Sequence, residues 1–69
     1  MNAEIAITQR ELLKLYESKR DYLAGKPRSF VTDLLHEAQS LGATAPDFSL
    51  RTAAQINHAA AVIALEGMP

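Results

Sequence analysis

A chain of 69 residues, 48% hydrophobic and 22% charged, has the composition of one folded domain rather than of a disordered segment. It contains no cysteine, which excludes disulfides, thiolate metal sites and thiol nucleophiles, and two histidines (His36 and His58) are too few for a persuasive zinc site. A net charge of −1 argues against a dedicated nucleic-acid binder, which would carry a clear basic excess.

The charge is mildly uneven. Residues 1–28 carry six basic and four acidic side chains, and residues 29–69 one basic and four acidic. The longest uninterrupted apolar run is Ala59–Leu65, far short of the roughly 20 residues a membrane span needs. No segment reads as a secretion signal, so the expectation is a cytoplasmic protein without a membrane segment. A domain this small draws only about 3–5 kcal/mol from its own core unless something staples it. With disulfides and metal excluded, self-association is the staple left open.

Three helices are predicted in one domain over residues 1–69, preceded by a short lead-in at 1–7. The first helix spans 9–24. Thr8-Gln9-Arg10-Glu11 is a capping box, and Ile7 and Leu12 stand where a hydrophobic staple would place them. Leu12, Leu15, Tyr16, Tyr22 and Leu23 recur at helical spacing. Gly25 and then Pro27 mark the stop.

The second helix is expected over 28–41, with Ser29 as a cap and Gly42 as the stop. Phe30, Val31, Leu34, Leu35, Ala38 and Leu41 form its apolar face. The third is expected over 49–66, capped by Asp47 or Ser49 and ending before Gly67. Its composition is unusual: Ala53, Ala54, Ala59, Ala60, Ala61 and Ala64 crowd together, and Ala59–Leu65 is apolar all the way round. A helix without a polar side is buried on several sides. Either the third helix is central or a second chain covers it. The fold class is therefore all-α, a helical hairpin plus a third helix, completed by homodimerisation through Ala60, Ile63 and Ala64.

Sequence patterns for chemistry are poor. Asp33, His36 and Ser40 share one helix face, but a triad on a single regular helix with no oxyanion donor nearby cannot perform acyl transfer, so the face reads as solvated. Asn57 and His58 read as boundary residues of the third helix, with register-setting at a helix pair as the functional alternative. No phosphate-binding glycine loop, paired carboxylates or metal-ligand spacing stands out, so neither an enzyme nor a cofactor is expected.

Lys19-Arg20 and Lys26-Pro27-Arg28 cluster cations at the first turn, where they complement a helix C-terminus or serve an acidic partner. Tyr16 and Tyr22 point in different directions on one helix; core or boundary placement is expected for both, with an exposed one serving as an interface anchor as the alternative, while Phe30 and Phe48 read as core plugs. The expected function is a small protein-binding module (regulator, adaptor or inhibitor), with Tyr22, Lys26 and Arg28 as the surface for a foreign protein. Two alternatives are carried: a helix-turn-helix DNA binder, disfavoured by Asp33 and Glu37 on its recognition helix, and a structural subunit of a larger assembly.

Overall fold

A computed structural model describes residues 8–69, which form a small three-helix all-α domain with no strands among them. The elements are α1 (Gln9–Ala24), α2 (Arg28–Thr44) and α3 (Phe48–Glu66). The start of α1 is locally determined. The Glu11 N–H donates to Thr8 Oγ1 at 3.1 Å, and the Thr8 N–H donates back to Glu11 Oε1 at 3.3 Å, the reciprocal bonds of a capping box. Ile7, the outer half of the expected staple, lies outside the described residues. α3 opens on Asp47, whose Oδ1 accepts from the Leu50 N–H at 2.8 Å.

Two expectations about helix ends fail for a common reason. Ser29 does not cap α2: the helix begins at Arg28 on Pro27, which holds φ −59° and offers no side-chain bond, so Ser29 lies inside the helix. Gly42 does not stop it: α2 runs through Gly42 to Thr44 and ends at Ala45 in extended backbone (φ −63°, ψ 128°). Ala45 precedes Pro46, whose ring disfavours helical backbone in the residue before it. Proline, not glycine, sets this boundary. Gly25 and Gly67 do follow α1 and α3, but both keep negative φ, so neither uses the left-handed region that only glycine enters cheaply.

α3 is the central element. It packs along α2 on one side and α1 on the other, whereas α1 and α2 barely touch. This meets the first alternative for an all-apolar helix, burial by its own neighbours. Ala60, Ala61 and Ala64 are buried together with Leu23 of α1 and Val31 of α2, and Tyr16, Leu34, Leu35, Leu65 and Met68 pack around them. The alanines let α2 approach closely: a Cβ built on Gly42 would stand 3.8 Å from Cβ of Ala54.

The core is correspondingly thin. Among the described residues only Leu23 and Val31 are large side chains buried to completion, and the other buried positions are all alanine. Phe30 and Phe48, expected as core plugs, are 44% and 67% exposed. Each lies in the first turn of its helix and outside the core cluster. Leu12, Leu13, Leu15, Tyr22, Leu41, Leu50 and Ile63 are exposed as well.

Candidate protein-binding site

The surface carries a groove of about 370 Å³ between the N-terminal half of α1 and the middle of α3. Its α1 wall is Gln9, Leu12, Leu13 and Tyr16, and its α3 wall is Thr52, Gln55, Ile56 and Ala59. Positions 9, 12, 13 and 16 are spaced i, i+3, i+4, i+7, the pattern of a helix face that packs onto a neighbour. Nearer the C-terminal end of α1, Leu23 continues this face and is fully buried against α3. At the N-terminal end the two helices stand apart, so Leu13 remains 55% exposed. On α3, Ile63 falls four residues beyond Ala59 and seven beyond Ile56, which extends the apolar wall past the groove.

The residues expected to mediate self-association divide. Ala60 and Ala64 are consumed by the chain's own core, held under Leu23 and Val31, and present no surface to a second chain. Ile63 alone of the three is exposed, on the stripe it shares with Ile56 and Ala59. What sequence reasoning missed is the α1 wall. Leu12 and Tyr16 were legible in the apolar stripe, but Leu13 was not read as part of it and Leu15, which was, is half exposed outside the core; nothing in a linear pattern says that half of the stripe goes unpaired.

A second surface lies at the turn between α1 and α2. Lys26 Nζ sits 4.7 Å from the Tyr22 ring centroid and 5.6 Å from that of Phe30, and Lys19 Nζ lies 5.4 Å from Tyr22. Two cations thus lie over one exposed aromatic ring, an arrangement worth about 0.5–1 kcal/mol per contact at a wet surface. Arg28, also exposed, donates from Nη1 to the carbonyl oxygen of Pro69 at 3.4 Å. Tyr16 is half-buried against the core, as expected, but Tyr22 is exposed rather than in a core or boundary position, because its ring faces the turn instead of α3.

The remaining polar groups form no centre. Asp33, His36 and Ser40 are all exposed. The Ser40 carbonyl accepts the Thr44 hydroxyl at 2.9 Å, a bond within the helix. His58 is half-buried and approaches the Gln39 amide to 3.4 Å across the α2–α3 cleft, a boundary position that water also reaches. Among the described residues no three His, Asp or Glu side chains gather as metal ligands. No helix among them is long and apolar enough to cross a membrane. Compared with models of known families, with curated proteins and with solved structures, the chain matches none.

Proposed function

We propose that this chain is a protein-binding module, a small helical regulator, adaptor or inhibitor that acts by contact and self-associates as a homodimer. The observation that carries the reading is the open α1/α3 groove, walled by Leu12, Leu13, Tyr16, Ile56 and Ala59, beside a core built largely of alanine. A core so thin leaves stability close to the minimum for a domain of this size. A contiguous apolar face left open on a soluble domain marks a place of contact with another macromolecule. Burying it in an interface supplies what the single chain lacks, because binding to the folded state alone stabilises that state.

Mass in solution tests the self-association. Light scattering on a sizing column should give about twice the 7.5 kDa of one chain, falling toward one chain on dilution. A mass of one chain at every concentration would remove the homodimer from the proposal.

The foreign partner is assigned to Tyr22, Lys26 and Arg28 at the first turn, and its chemistry to an acidic protein surface. Tyrosine and arginine are enriched among the residues that carry binding energy, and clustered cations favour acidic partners. The double substitution K26E/R28E should leave the helical circular-dichroism signal intact, because both side chains lie outside the core. It should weaken an acidic partner about tenfold or more, by setting like charges against it. Partners recovered equally well on the unaltered chain and on the double variant would discard this patch.

A further inference from the structure

The outer flank of α1 carries charges in an order that makes little sense for a helix alone. Arg10, Lys14, Glu17 and Asp21 follow one another at spacings of four, three and four residues, so they form one exposed stripe. At about 100° per residue, Leu13 stands between this stripe and the groove positions Gln9, Leu12 and Tyr16. The stripe is thus a rim of the apolar face. Read along the helix it runs positive, positive, negative, negative.

Within the helix Lys14 and Glu17, three residues apart, are a favourable opposite-charge pair, but the two outer steps and the overall direction are unfavourable. Arg10–Lys14 and Glu17–Asp21 are like-charge neighbours one turn apart, which repel. Cations toward the N-terminal end and anions toward the C-terminal end also oppose the helix macrodipole. Among the described residues the one ion pair is Arg20 with Asp21, at 3.1 Å between adjacent side chains. Arg10, Lys14 and Glu17 are in no ion pair there. Asp21, 71% exposed in its side chain, can accept a further cation.

We propose that a second copy of this chain covers the α1/α3 groove, with the two α1 helices antiparallel about a two-fold axis passing between positions 15 and 16. This rests on the self-association reading above. In that register Arg10 lies opposite the partner's Asp21, and Lys14 opposite the partner's Glu17, each pair occurring twice by symmetry. The order that is unfavourable in one helix becomes complementary between two. A parallel pairing would set each charge against its own copy. The two grooves face one another, and Leu13 and Ala59, exposed in the single chain, are covered in a bundle of two α1 and two α3 helices.

Charge exchange tests it. Full-length R10E/K14E and full-length E17K/D21K are each made, checked for helicity by circular dichroism, and measured by light scattering over a concentration series, alone and in equimolar mixture. Each variant alone has a stripe of one sign and should dimerise at least about tenfold more weakly than the unaltered chain. The mixture should recover the mass of a dimer, because a wholly acidic stripe then meets a wholly basic one. A variant that loses helicity is replaced by the fourfold R10E/K14E/E17K/D21K, which reverses every pair and should dimerise unaided. An unaltered chain that is monomeric overturns this inference and the self-association reading together. If the unaltered chain is a dimer but either doubly substituted chain associates as tightly, or the mixture or the fourfold variant stays monomeric, self-association stands and the antiparallel α1 contact is wrong.

Discussion

Leu23→Ala is expected to leave the isolated chain largely unfolded at 25 °C. Among the described residues Leu23 is one of two large side chains with no exposure at all, and it joins α1 to the alanines of α3 and to Val31 of α2. Truncating a buried leucine costs about 2–5 kcal/mol, partly from lost transfer energy and partly from the cavity left behind. A domain this size draws only about 3–5 kcal/mol from its core, so the loss is comparable with the whole. In most proteins the same substitution is survivable, but here little else can hold the centre. Far-UV circular dichroism through a urea titration checks it: the variant should show little helix before denaturant is added, or a midpoint near zero. Leu15→Ala is the control, since Leu15 is half exposed and outside the core, and its change should stay within about 0.5 kcal/mol. A variant at Leu23 that melts like the unaltered chain would mean that the groove face, covered by a second copy, carries most of the stability.

That dependence explains which parts of the molecule were legible in the sequence. Helix α1 was readable to the residue because its signals are local: the Thr8–Glu11 capping box needs nothing beyond four consecutive positions. The centrality of α3 was readable as one of two alternatives, because apolar residues on every side demand cover without saying who provides it. Once the fold is seen, its own neighbours provide most of it, which removes Ala60 and Ala64 from the surface. The end of α2 was misread because glycine was weighed above proline. Gly42 lies inside α2 facing Ala54 of α3, and the chain turns only when Pro46 forces Ala45 out of the helix. The candidate site was least legible. Whether apolar positions such as Leu12 and Tyr16 are buried depends on how far α1 leans from α3, and no pattern within one helix encodes that angle.

The alanines of α3 give the sharpest test of this division, because the same substitution two residues apart should have opposite outcomes. Ala61→Leu is expected to destabilise the fold by about 1–3 kcal/mol, the usual result of forcing extra methylenes into a filled core. Ala61 has no exposure, and it lies seven residues from Ala54 on the flank of α3 where α2 comes close at Gly42. The added isobutyl group must push α2 away or leave its rotamer minimum, and either separates Val31 and Leu35 from the centre. Ala59→Leu has no such conflict. Ala59 is exposed on the α3 wall of the groove, where the new side chain finds room beside Leu13 and Ile56. The single chain should be no less stable for it, since leucine is nearly as good a helix former as alanine and gains apolar contact with the groove walls. Urea midpoints of the two variants at low protein concentration read the contrast directly. Equal losses at both positions would mean that α1 closes onto α3 along its whole length, and that the groove is absent in solution. Equal tolerance would mean that α2 is held off α3 by more than the alanine-to-glycine contact allows.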